Sequence, residues 1–174
     1  VNQCKECHAA EDKITPIGPK ARNLNKKFEF NEGEFNQLTY WMNRQIIDDY
    51  PLEIVSPVDW TDDSQNINDR VRSYLDVNCG HCHSPTGNAN STGLYLHLDE
   101  TRDIHLGLYK KPVATGRGSG GLKYSIVPGK PDESILLHRM ISLDPGVMMP
   151  ESGRALSHTE AVEMVREWIL VMED

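Results

Sequence analysis

The clearest hydrophobic pattern lies at the end of the chain. Val162, Val165, Trp168, Ile169 and Met172 recur at helical spacing, which predicts an amphipathic helix with one apolar face. Just ahead of it, Ser157-His158-Thr159-Glu160 has the form of a capping box, in which the Ser and Glu side chains each satisfy an open amide of the first turn. A second helical period runs through Ile67, Val71 and Tyr74/Leu75, with Asn66 or Asn68 as N-cap. A third places Phe35, Leu38, Met42 and Ile46 on one stripe of a helix within 34–49, ending before Pro51. The stretch 51–65 carries Pro51, Pro57 and polar residues without a period, and reads as a linker. The expected division is therefore 1–60 and 61–174.

Between the second and last helices the pattern is weaker. Residues 84–93 are turn-rich, and Leu94-Tyr95-Leu96-His97-Leu98 alternates like a short strand. The glycine cluster at 116–121 has neither P-loop nor dinucleotide-fingerprint spacing, so a surface loop is expected there. Residues 127–134 make a turn and a helix start that leads into Ile135 and Leu136.

At 174 residues the chain suits one ordinary domain or two small ones. A net charge of −8 argues against nucleic acid or an anionic membrane surface as partner, since both need a basic face. The same charge serves solubility, or steering toward a cationic partner. No apolar run reaches the ~18 residues of a membrane span. The chain opens at Val1-Asn2-Gln3-Cys4 without a leader, as expected of a processed product or a piece of something longer.

The candidate chemistry is concentrated in the cysteines. There are 4, in two Cys-x-x-Cys pairs, and His follows each pair directly: Cys4-x-x-Cys7-His8 and Cys79-x-x-Cys82-His83. This is the c-type haem attachment pattern, in which two thiols form thioethers with the haem vinyl groups and the His supplies an axial imidazole. The predicted helix over 66–78 runs straight into the second motif. A zinc site built from Cys4, Cys7, Cys79 and Cys82 is the alternative, although zinc does not require His after both pairs. A thioredoxin-like redox pair would need a βαβ pattern, which is missing.

Residues 66–174 resemble a class I c-type cytochrome: helix, CxxCH, long loop, Met148-Met149-Pro150 and an amphipathic terminal helix. Residues 128–140, then Met-Met-Pro, then Leu-Ser-His-Thr-Glu, are similar to the cytochrome c-like modules at the C-terminal ends of larger bacterial periplasmic proteins. The resemblance implies a mainly α fold, with cytochrome c-like helical domains packed around covalently bound haem, long loops and little β structure. It implies two haems c, with His8 and His83 as axial ligands of the two irons. Met149 is the expected sixth ligand of the second, because the ligand Met of similar modules directly precedes Pro, and Pro150 restricts the backbone before it. Gly18-Pro19 resembles the segment whose Pro carbonyl accepts the imidazole N–H in this family, which would make Pro19 the support of His8; otherwise it is a turn.

Residues 1–60 have no Met-Pro segment. A sixth ligand from within them is Met42, the lone Met there, or a Lys such as Lys20; otherwise the site is five-coordinate or capped by a residue of the second domain. His81, inside the second motif's spacer, is expected to face solvent, and His97, His105, His138 and His158 to be ordinary surface or edge residues. The expected function is single-electron transfer between redox donor and acceptor proteins in a bacterial periplasm. The rivals are an electron-accepting or dihaem peroxidase-like part of a larger redox enzyme, and a zinc-stapled interaction module.

Overall fold

The computed structural model describes residues 4, 7–10, 13–113 and 115–173. After the helical residues Cys4, Cys7 and His8 come two small antiparallel sheets: β1 (Ala9–Ala10) with β2 (Lys13–Ile14), and β3 (Lys27–Phe30) with β4 (Gly33–Asn36). Helix α1 (Ala21–Leu24) lies between them, and α2 (Gln37–Asn43) follows. The rest is α3 (Ile67–Asn78), α4 (Asp103–Leu106), α5 (Ile135–Ile141) and α6 (Thr159–Leu170), joined by long loops with short 3₁₀ turns at Asn90–Thr92, Gly116–Ser119 and Pro131–Glu133.

This corrects the expected mainly α fold. About 36% of the chain is helical and about 9% is strand or bridge, so the architecture is mixed, with loop as the largest class. The hairpin is the main reason. Lys27-Phe28-Glu29-Phe30 and Glu34-Phe35-Asn36 alternate with period two around a turn at Asn31-Glu32, and Phe28 faces Phe35 across the ladder. Phe35 is therefore a strand residue rather than the first position of a helical stripe. The helix begins after it, where the Asn36 side chain accepts from the Thr39 amide at 3.1 Å.

The core forms where α3 crosses α6. Val71, Tyr74 and Leu75 of α3 pack with Ala161, Val162, Val165, Trp168 and Ile169 of α6, and Leu96, Ile126, Leu137 and Met140 fill in from the loops and α5. The Asn66 side chain caps α3 by accepting from the Asn68 amide at 2.8 Å, while the Trp168 indole N–H donates to Asn68 Oδ1 at 3.1 Å. The capping box of α6 is not made. His158 is the N-cap residue and has no side-chain capping bond. Ser157 instead donates to the Met140 carbonyl, and His158 Nδ1 meets the Tyr74 hydroxyl at 3.0 Å.

Residues 51–65 are not a bare tether. Trp60 packs edge-on against Tyr74 and His158, and the Val58 amide donates to Ser73 Oγ. Among the described residues of 1–60, only Leu38 is a buried apolar side chain. That part of the chain draws its order from hydrogen bonds and from contact with the rest.

Candidate functional site

The end of α3 delivers the second motif. Cys79 is the C-cap residue, and the Cys82 and His83 amides both donate to its carbonyl, at 3.1 and 2.9 Å, so the spacer folds back as a tight turn. Two glycines make this possible. A Cβ on Gly80 would lie 2.8 Å from the Asp76 carbonyl, and one on Gly87 would lie 2.3 Å from the Cys82 carbonyl. Both approaches are to backbone, which cannot step aside.

His83 is buried, and its surroundings come from the extended stretch 94–96. Its carbonyl accepts from the Leu96 amide at 2.8 Å, and its Nδ1 lies 3.3 Å from the Leu94 carbonyl. A carbonyl oxygen can only accept, so Nδ1 carries the proton and Nε2 keeps its lone pair. Burial lowers the imidazole's pKa, which keeps the ring neutral at pH 7. A neutral imidazole with one nitrogen fixed by a carbonyl is the form a metal-binding His takes.

The stretch 94–98 makes no strand ladder, contrary to its alternating pattern. It is pinned from α3 instead. Arg72 donates to the carbonyls of His97, Leu98 and Glu100 at 2.8–3.0 Å, and Asp76 accepts from the Leu98 amide at 2.9 Å. One turn apart on the same helix, these two buried side chains fix the loop that holds His83. Glu100 anchors the far end. It accepts from the Arg102 side chain, from the Thr101 and Arg102 amides, and meets His105 Nδ1, and the Arg102 bond above all holds its carboxyl well below the usual range. His105 and His97, expected as unpartnered edge residues, thus flank a buried carboxylate.

Two adjoining cavities meet at the motif. One, of about 80 Å³, is mostly apolar and is lined by Cys79, His83, Leu96, Leu136, Met140 and Met149. The other, of about 380 Å³, is lined by Cys7, Cys79, Cys82, His83, Met149 and Glu151 among others. Cys79, His83 and Met149 line both. Met148 is buried, at 8% exposed, and lines neither cavity, so of the adjacent pair it is Met149 that shares a cavity with His83.

The two thiols of the second motif are held as thiols. Burial pushes Cys79 up to about 12. Burial, then the neighbouring Cys7, push Cys82 up to about 11. Neither is a thiolate at pH 7, which removes the low-pKa thiol on which disulfide-exchange chemistry depends. No disulfide joins the cysteines.

The first motif is built differently. Cys4, Cys7 and His8 are helical, with Cys4 and His8 exposed. His8 Nδ1 lies 3.3 Å from the Thr15 carbonyl, so the carbonyl beside this ring belongs to Thr15 rather than to Pro19, which is exposed. Met42 lies on α2, is 39% exposed, and lines neither cavity. Lys20 is half-buried at the start of α1. What the fold does bring together is Cys7, Cys82 and His81, whose ligand atoms all lie within 4.8 Å of one another. His81 is not solvent-facing: it is half-buried, and its Nδ1 is buried without a hydrogen-bond partner. The Cys₄ arrangement of the zinc alternative is not the one gathered here.

Sequence reasoning also missed Arg22, whose guanidinium pairs with the buried Asp76 at 2.5 Å and with Asp99 at 3.2 Å. This ties α1 to the last turn of α3, immediately before Cys79. Among the described residues, no helix is long and apolar enough to cross a membrane. No protein-family model matches the chain, and neither a curated protein nor a solved structure does.

Proposed function

We propose that this chain is a dihaem c-type cytochrome, similar to class I in the ligands of its second haem, that passes single electrons between exported redox proteins. One observation carries the reading most directly: Cys79, His83 and Met149 line common cavities, with the imidazole neutral, its Nδ1 committed to Leu94 and its Nε2 available. The donor set suits haem. Cys79 and Cys82 would tether it, His83 and Met149 would hold its iron, and the apolar lining would keep water from the metal. Haem, when bound, supplies a one-electron ferric/ferrous couple. The chain's own part is to fix the ring of His83 through Leu94 and Leu96, to present a thioether that favours a higher potential than a second imidazole would, and to exclude water.

Cys4, Cys7 and His8 would hold the first haem, within a unit of residues 1–60, and residues 61–174 would form the second unit. Partners would be redox proteins presenting a cationic face to this acidic chain. Covalent attachment belongs to compartments outside the cytoplasm, so a bacterial periplasmic location follows from the same reading. Haems per chain, measured as pyridine haemochrome after acid-acetone extraction, test it. Two covalently retained haems are expected; none overturns the reading, and one confines it to a single motif.

A second reading rests on the exposure of His8 and the outward position of Met42. A haem held there by Cys4, Cys7 and His8 without a thioether from the same segment would be free to take a small external ligand, as the electron-accepting or peroxidase-like part of a larger redox enzyme would need. Carbon monoxide binding to the reduced protein favours that reading. Its absence favours simple electron transfer.

A further inference from the structure

We propose that, while its thiols are unmodified, the chain holds one thiophilic divalent cation on Cys7, His81 and Cys82, so that metal binding and haem attachment exclude each other. The inference goes beyond the haem reading, because it concerns the state of the chain before any thioether is formed. Cys7 and Cys82 belong to different motifs and are distant in sequence, yet the fold sets one beside the other with an imidazole from the second motif's own spacer. All three ligand atoms lie within 4.8 Å of one another.

A zinc ion with Zn–S of about 2.3 Å and Zn–N of about 2.0 Å needs ligand atoms roughly 3.5–3.8 Å apart in a tetrahedral site. The group therefore closes onto an ion by about 1 Å of side-chain movement, which half-buried side chains on a turn and on the N-terminal segment can supply. An independent observation points the same way. The Nδ1 of His81 is buried and has no partner in the fold, and leaving a buried nitrogen unpaired is unfavourable. A cation ligated through Nδ1 removes that cost. Softness selects the metal: two sulfurs and one imidazole suit zinc or cobalt and not magnesium or calcium. With three protein ligands, the fourth position is left to water.

Charge and protons balance simply. Each thiol gives up its proton on ligation, so one divalent cation releases two protons to the buffer and leaves the site neutral. The consequence for maturation is that a chain carrying the ion has Cys7 and Cys82 blocked, one thiol of each motif, and takes up haem only after the metal has been removed.

The test uses the full, haem-free chain kept reduced with a non-chelating phosphine. Zinc is titrated against a chromophoric chelator, proton release is followed in weak buffer, and cobalt substitution is read from its near-ultraviolet sulfur-to-metal charge-transfer band. One ion per chain, two protons and the charge-transfer band are expected. Cys7→Ser should weaken binding by at least about 100-fold and His81→Ala by at least about tenfold, since outer partners alone are worth about 10–100-fold at such sites. Cys4→Ser should leave it unchanged, with far-ultraviolet circular dichroism showing that each variant folds. Undiminished binding in Cys7→Ser, equal loss in Cys4→Ser, or no binding at all overturns the proposal. Haem content of the exported protein is a separate measurement, so a chain that carries two haems but ignores zinc when haem-free refutes this inference alone.

Discussion

Removing Arg22 should destabilise the chain more than neutralising its partner does, because the two members of the pair are unequally placed. The Asp76 side chain is 0% exposed and that of Arg22 is 19% exposed. Breaking a fully buried pair costs about 3–5 kcal/mol, most of it from the charge left behind. In Arg22→Met the stranded charge is Asp76, whose Oδ1 keeps only the Leu98 amide and whose Oδ2 already has no partner. A loss of about 3–4 kcal/mol is expected. In Asp76→Asn the stranded charge is Arg22, which retains Asp99 and some solvent, and the new amide oxygen can still accept from Leu98. About 2 kcal/mol is expected there. At roughly 2–4 °C per kcal/mol for a chain of this size, Arg22→Met lowers Tm by about 6–16 °C. Urea denaturation of both single variants and the double variant, closed as a cycle, should give a coupling of about 1–3 kcal/mol. A coupling below ~0.5 kcal/mol, or Asp76→Asn proving the costlier change, would refute the claim that this contact holds the N-terminal segment on α3.

Three further outcomes follow from the site. Gly87→Ala forces a Cβ to within 2.3 Å of the Cys82 carbonyl and 2.6 Å of the His81 carbonyl, so it should cost about 1–3 kcal/mol or more and reduce haem per chain; an unchanged melting curve and haem ratio would show that the turn has slack. Met149→Ala should abolish the near-infrared sulfur-to-iron band of the ferric haem protein. Met148→Ala should keep that band and lower stability by about 2–5 kcal/mol, because Met148 is core; the reverse pattern would exchange their roles. Glu100 has a folded-state pKa held below its unfolded value, so its contribution is complete above the unfolded pKa of about 4.3 and is lost as pH falls toward the folded one. Wild type should therefore lose more Tm than Glu100→Gln between pH 7 and pH 3, and parallel losses would count against the carboxylate's role.

What was legible in the sequence was local. The period of Ile67, Val71, Tyr74 and Leu75 with Asn66 ahead of it gives α3 almost to the residue, and the stripe through Val162, Val165, Trp168 and Ile169 gives α6. Where a local signal competed with tertiary contact, it lost. Ser157 had the capping-box position but found the Met140 carbonyl, and Leu94 to Leu98 alternated like a strand but met α3 side chains rather than a neighbouring strand. The hairpin had a readable signal that the apolar stripe obscured. Phe28, Phe30 and Phe35 alternate with charged or polar residues about Asn31-Glu32-Gly33, a two-residue hairpin pattern. Its aromatic members also stack: Phe30 lies 3.7 Å from the ring of Tyr40 on α2.

The site divides along the same line. Cys79, Cys82 and His83 are adjacent in sequence, so their spacing alone announces them. The partners that give them properties are distant or carry no side-chain signature: the backbone carbonyl of Leu94 fixes the tautomer of His83, and Arg72 and Asp76 fix the loop that supplies it. Asp76 has two duties at once. It holds the Leu98 amide on one side and the Arg22 guanidinium on the other, so the element that orients the second motif's histidine also anchors the segment that follows the first motif. Cys7 reaches the side of Cys82 and His81 through this arrangement and not through any core of its own, since Leu38 is the sole buried apolar side chain among the described residues of 1–60. A perturbation at Arg22 should consequently be felt twice, as a loss of stability and as a loss of zinc affinity in the haem-free chain, with no ligand of either site altered.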